Sequence, residues 1–385
     1  MTGEPWQNLN IGQLGRVVTG STPRTGDAAA WGDEIDFVTP TEMSYSDREP
    51  SKCRKLSASG MAALQRRVIP AGSTLFVCIG FSTGKVSQIF RPAITNQQVN
   101  ALIPNPSVVN ERFAYYLLRY KSADIRAIAN GSTTPIVNKS MFQAVDVLLP
   151  SRREQEAIAD VLGVLDDKIA VNERIATTAD ELAGALFRAC PTRAPRLIVD
   201  VASITMGQSP PGETYNEEGE GVPFYQGTRD FGLRYPGPRV WCTAVTRRAY
   251  ENDVLVSVRA PVGEINVASE ECGIGRGVAA VRSTQYPHIL LHALSSDPAV
   301  WQPYEAAGTV FGSINKKQFS QLEVSWPGDS LIGSLEEKLK ALDDRLRQAS
   351  EESAALATLR DTLLPQLMSG RLRVKDAEKI VEDAT

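Results

Sequence analysis

Two pairs of adjacent aspartates, Asp166–Asp167 and Asp343–Asp344, lie in nearly the same six residues, VLDDKI at 164–169 and ALDDRL at 341–346, 177 positions apart. Paired carboxylates can hold a divalent cation or divide acid and base roles. On a helix, however, neighbouring side chains point about 100° apart, so neither pair chelates one ion well. His288 and His292, the only histidines, stand four apart in HILLH with no glutamate between them, a helix face rather than a zinc motif. With no other histidine, no Ser-His-Asp or Cys-His nucleophile can be assembled. The stretch GFSTGKV (80–86) is one residue short of a phosphate-binding loop and puts Val86 where a magnesium-binding hydroxyl belongs; GIGRG (273–277) lacks a clear βαβ setting. No Asn-Pro-Pro-aromatic run exists. The five cysteines are scattered and form no C-x-x-C pair, as expected of small buried hydrophobes in a reducing compartment. The residue types argue for a binding and spacing device rather than an enzyme.

The elements that carry these residues are written twice. NKSMFQAVDVLLP (138–150) matches NKKQFSQLEVSWP (315–327), again 177 apart, and earlier landmarks keep the same order: VVTGSTP (17–23) with ITMGQSP (204–210), DFVTPT (36–41) with PFYQGT (223–228), STGKVSQI (82–89) with PVGEINVA (261–268), and NQQVNAL (96–102) with GRGVAAV (275–281). Each copy opens with short apolar runs broken by Gly, Pro, Asn and Asp, which read as strands and turns, followed by a helical piece. Each copy then ends in a long segment with apolar positions in steps of three and four. The seam runs through Ile158, Leu162, Leu165, Ile169 and Leu186 in the first copy, and through Leu335, Leu339, Leu342, Leu346, Leu356 and Leu363 in the second. Asn172 falls on the seam, where it either fixes register or sits solvated. The expected fold class is α+β: two duplicated α+β domains separated by two long antiparallel coiled-coil helices, with pseudo-two-fold symmetry. The expected segments are 1–150, a helix at 151–192, 193–327, a helix at 328–374, and a flexible tail at 375–385. On this scheme the aspartate pairs are the polar flank of the seam.

The net charge of −4 argues against a nucleic-acid binder acting alone. It is unevenly spread: residues 1–150 carry 15 basic and 11 acidic side chains, residues 195–327 carry 11 and 14. The opening MTGEPWQNLNIG lacks the pattern of a signal peptide and no apolar run reaches membrane-spanning length, so a cytoplasmic protein with no membrane partner is expected.

VLLPSRREQEAIADVLGVLDDKIAVNERI, LATLRDTLLPQLMSGRLRV (356–374) and NGSTTPIVNKSMF together resemble the specificity subunit of type I restriction–modification systems, and the likeness spans essentially the whole chain. The second copy departs from it at WPGDSLIGSLEEKL, which lacks the Glu-Gln-Ile core. The resemblance implies a non-catalytic subunit whose two target-recognition domains each read half of a split, asymmetric duplex DNA site. It also implies helices that space the halves and dock two methyltransferase subunits. Those partners would bring S-adenosylmethionine for N6-adenine methylation. Restriction subunits using ATP and magnesium would join them, while this chain binds no cofactor itself. Candidate DNA contacts are Ser82, Thr83, Gly84, Lys85, Arg91, Asn96, Gln97 and Gln98 in the first domain and Thr228, Arg229, Arg259 and Arg276 in the second, because amides suit adenine and guanidinium or ammonium groups suit guanine. The competing readings are a metal-dependent nucleic-acid enzyme built on Asp166 and Asp167, and a coiled-coil scaffold unrelated to DNA.

Overall fold

The computed structural model describes residues 6–24, 26–129, 135–191, 193–305 and 312–383. The chain divides into two compact units, Met1–Asn172 with Glu351–Thr385, and Glu173–Ser350. The boundaries fall inside two long helices, Arg152–Ala189 and Asp329–Met368. Each unit therefore holds one α+β domain and a stretch of each helix.

In the first unit a four-stranded sheet runs in the order Gly15–Thr19, Val99–Pro104, Thr74–Val77, Val86–Gln88. A second sheet pairs Trp31–Val38 antiparallel with Arg54–Leu56 and parallel with Ala93–Thr95. A ribbon of Gln7–Asn10 and Asp146–Leu149 leads into the long helix. The second unit repeats this plan. Its four-stranded sheet is Ser203–Met206, Val278–Arg282, Val254–Ser257, Ile265–Val267; Val222–Tyr225 lies parallel to Cys272–Ile274; and Arg193–Leu197 pairs with Glu323–Pro327. Individual hydrogen bonds repeat as well. Asn96 N donates to Val38 O as Gly275 N does to Tyr225 O, and Cys78 N to Gln98 O as Val258 N does to Gly277 O.

The landmarks of the repeat have structural reasons. Asn138 and Asn315 cap short helices by accepting from the amides of Met141 and Gln318. Phe142 and Phe319 are wholly buried beneath them. Gly20 and Gly207 occupy equivalent crossings where a Cβ would fall 2.1 Å from the carbonyl oxygens of Thr95 and Gly275. The helical pieces are Glu111–Tyr120 and Pro287–Ser295, each laid on its sheet.

Within each unit the long helices pack antiparallel. In the first, Asp166 meets Arg360 and Asn172 meets Glu352, so numbers rise on one helix as they fall on the other. Ile158, Leu162, Leu165, Leu356 and Leu363 join one core with the domain, and Ile169 packs at its edge. In the second, Leu335 and Leu339 lie in the domain core, and Leu346 packs on Ala176, Ala179 and Ala349, with Leu342 touching both clusters. Leu186 is only partly buried there; the neighbouring Phe187, 1% exposed, takes the inward position. Asn172 is not solvated: it is 1% exposed and its Nδ2 donates to Glu352 Oε2 at 2.8 Å.

The expected tail is a correction. Val374–Glu382 forms a helix with Ala377 and Val381 buried in the first unit's core. Their spacing presents one apolar stripe, which is why the segment docks. The second long helix correspondingly stops at Met368, short of 374.

Candidate nucleic-acid interface

In the second unit, parallel strands Val222–Tyr225 and Cys272–Ile274 release the chain on the same edge, beside the end of Val254–Ser257. The loops that follow enclose a cavity of about 300 Å³ lined by Ser209, Gln226, Thr228, Arg259 and Arg276 among others. An adjoining hollow of about 640 Å³ shares Gln226, Gly227 and Thr228 and adds Arg229 and the stacked rings of Tyr215 and Phe224. Thus all four sequence candidates of this domain, Thr228, Arg229, Arg259 and Arg276, line two adjoining hollows. Arg259 and Arg276 are exposed, and their guanidinium groups form no ion pair among the described residues. Arg239, by contrast, is consumed by Asp230. Cations left free on a concave surface suit a polyanion.

The first domain places its candidates less uniformly. Gln97 is exposed at the position equivalent to Arg276, and its Oε1 accepts from Thr22 Oγ1 at 2.7 Å. Asn96 and Gln98 bond each other. Arg91 is exposed, 3.7 Å from Asp36. The glycine loop behaves differently from its sequence reading. Gly80 and Gly84 adopt φ of +92° and +99° in a turn that leads into strand Val86–Gln88, so no helix follows to hold a phosphate. Thr83 is buried with its hydroxyl on Gly80 O, and Lys85 Nζ donates to the carbonyls of Pro40 and Met43 at 2.9 and 2.7 Å. Thr83 and Lys85 therefore hold the loop together, and Ser82 and the 86% exposed Phe81 are what the loop presents. Residues 130–134 lie outside the described residues.

Residues 3–179 match the type I restriction modification DNA specificity domain. The chain is similar to the putative type I restriction enzyme MjaX specificity subunit of Methanocaldococcus jannaschii, 28% identical over 74% of each chain. The matched domain and this relative make the chain similar to the type I restriction–modification specificity subunits. The type I restriction enzyme MjaIX specificity subunit of the same organism is 30% identical over 48% of this chain and 43% of that one. The solved type I restriction–modification system S subunit from M. genitalium shares the fold, with a TM-score of 0.60 over 95% of this chain and 97% of that one at 16% identity.

In this chain Asp166, Asp167 and Asp343 act as clamps between domain and helix, while Asp344 pairs with Lys340 on its own helix. Asp166 Oδ2 accepts from Tyr116 OH, while Asp167 faces Arg112 at 3.1 Å and Arg48 at 3.5 Å. In the second unit Asp343 Oδ2 lies 2.7 Å from His288 Nδ1, and Oδ1 lies 3.4 Å from His292 Nε2 and 3.7 Å from Arg234. Both histidines thus face a carboxylate within their own unit, His288 in hydrogen-bond contact with it. Among the described residues no group of three or more His, Cys, Asp or Glu side chains could hold a metal ion. Burial pushes the Cys78 and Cys272 thiols up to about 12 and, with nearby acids, Cys53 to about 11, so none of these three is a ready thiolate at neutral pH. No helix among the described residues is long and apolar enough to cross a membrane.

Two supporting contacts escaped the sequence reading. Gln155, 2% exposed, accepts from Asn110 N at the start of helix Glu111–Tyr120, and Glu336 accepts from the amides of His288 and Ile289 at the start of Pro287–Ser295. The two residues are not equivalent in the repeat, so the missing Glu-Gln-Ile core is compensated from another turn of the helix.

Proposed function

We propose that each domain reads one half of a split duplex DNA site and that the long helices set the gap and dock two methyltransferase subunits. Those subunits bring S-adenosylmethionine and transfer the methyl group to adenine N6. Restriction subunits, driven by ATP with magnesium, complete the cleaving complex. The observation that carries the DNA-reading role is the hollow of the second domain, where Arg259 and Arg276 stand exposed and unpaired beside uncharged hydrogen-bonding groups. Free cations position a phosphate backbone, and neutral polar groups discriminate base edges. The chain's overall acidity is consistent with subunits that help enclose the DNA.

The test is methylation mapping across a genome by the assembled complex. A bipartite, asymmetric adenine-methylated site supports the proposal. Arg259→Ala with Arg276→Ala should then weaken recognition of one half only. Unchanged methylation in that double variant would remove this hollow from the DNA path.

A further inference from the structure

We infer that Gln226 and Arg276 together read two neighbouring purines, adenine by Gln226 and guanine by Arg276, in the half-site taken by the second domain. The inference rests on the DNA-reading function proposed above. Gln226 is the first residue after strand Val222–Tyr225, and the turn Gly275–Arg276–Gly277 follows the parallel strand Cys272–Ile274. Gly275 N donates to Tyr225 O at 2.8 Å. A Cβ on Gly277 would fall 2.2 Å from Gln226 O, and one on Gly275 would fall 3.1 Å from Gln226 Cα and Cγ. Two glycines therefore let the turn close over Gln226, which fixes Arg276 beside it. Both residues are exposed, both line the cavity, and the Gln226 amide has no hydrogen-bond partner among the described residues.

The chemistry follows from the two end groups. A glutamine amide offers one acceptor and one donor edge, which fits adenine N6 and N7; a guanidinium offers two donors, which fits guanine O6 and N7. Main chains in direct contact suit base pairs one step apart, about 3.4 Å. The equivalent position of the first domain cannot do this. Thr39 stands where Gln226 does, and its amide and hydroxyl both donate to Glu42 Oε2, at 2.7 and 2.6 Å. Adenine–guanine reading by this pair of positions is thus a property of the second domain alone.

The experiment uses the assembled methyltransferase complex and duplexes of its mapped site. 7-Deazaadenine replaces each adenine in turn, and 7-deazaguanine each guanine. One deazaadenine and one adjacent deazaguanine in the same half should weaken wild-type binding. Gln226→Ala should bind the natural duplex about 5- to 150-fold more weakly, the range set by one bidentate contact, and should no longer respond to that deazaadenine. Arg276→Ala should behave likewise toward the deazaguanine. Thermal unfolding of each variant should match the wild type, since both side chains are exposed. If Gln226→Ala keeps every base preference, or remains sensitive to the same deazaadenine, the inference fails while an effect of Arg276→Ala leaves the DNA-reading hollow standing. If neither variant nor Arg259→Ala alters binding to a site the complex still methylates, the hollow itself is not the reading surface.

Discussion

Arg360 Nη1 donates to Asp166 Oδ1 at 2.6 Å, and each of these side chains is only 3% exposed. The pair lies between the two long helices inside the first unit. It extends through Tyr116 OH on one side and through Asp361 to Arg119 on the other. Burial acts to lower the Arg360 pKa, but Asp361 and Asp166 outweigh it and hold the guanidinium charged. A buried pair of this kind is costly to break from one side and cheap to replace whole.

Asp166→Asn should therefore cost about 3–5 kcal/mol, because it strips the closest counter-charge from a buried guanidinium. Changing Tyr116→Phe, Asp166→Leu and Arg360→Met together should recover most of that loss. Urea unfolding midpoints check both. In complexes that still assemble, methyl transfer should persist in Asp166→Asn; its loss from a complex that binds DNA normally would return a chemical role to the carboxylate.

Acid should weaken the second unit through Asp343. Burial alone would raise its pKa, but the hydrogen bond from His288, the nearby His292 ring and the charge of Arg234 hold it well below the usual carboxylate range. Asp180, held by Arg234, and Glu336 on the same helix are the other acids facing this cluster. A depressed carboxyl stabilises the fold above its unfolded pKa of about 3.9 and loses that contribution as pH falls toward the folded value. The stability gap between wild type and Asp343→Asn should be full at pH 6 and shrink between about pH 4 and 2. A gap that stays constant with pH contradicts the clamp.

Lys85→Ala should destabilise the loop formed with Pro40 and Met43 by roughly 1–3 kcal/mol while leaving base preference intact, because its ammonium serves two main-chain carbonyls. Thermal unfolding and methylation mapping of one variant separate the two effects. A changed recognition sequence with unchanged stability would place Lys85 on the DNA.

Gln97→Ala and Arg276→Ala occupy equivalent positions in the repeat, so they should relax opposite halves of the target, each by about 1–3 kcal/mol at one base pair. Binding measured against single-base substitutions across both halves reads this out. Overlapping footprints would contradict the assignment of one domain to one half.

The gap between half-sites should follow helix length. Ala176 and Ala179 are buried against Leu346 and Ala349, so an insertion in one helix alone would throw the seam out of register. A seven-residue apolar-matched insertion in both helices, after Asn172 and after Ser350, preserves it. At 1.5 Å per residue the helices lengthen by about 10.5 Å, or roughly three base pairs. Genome-wide methylation should show the gap widened by about that amount with both half-sequences unchanged. An active variant with the original gap would show that another element sets the spacing.

The duplication, the short-strand domains and the seam were legible because their determinants are local and recur: an asparagine cap before Phe142 and Phe319, glycines at tight crossings, apolar steps of three and four. All four DNA candidates of the second domain also converged, since the repeat aligned their loops. What stayed hidden was set by distance along the chain. Arg360 finds Asp166 across 194 positions, and nothing near either residue announces the partner. Lys85 resembled a free cation because the carbonyls that hold it belong to a loop 42 and 45 residues earlier. Gln226 was missed because its meaning comes from the glycines of a different strand.

The division of the chain inside its two long helices has a consequence for synthesis. Glu173–Ser350 is one unbroken stretch, whereas the other unit is completed only by residues after 350. As the ribosome moves from the N-terminus, the domain made first must wait for the one made second. Throughout that interval Ile158, Leu162 and Leu165 lack the cover later supplied by Leu356, Leu363 and Leu367. A chain ended at residue 350 and released should therefore display a greasy half-helix to chaperones and proteases while its younger domain is already closed.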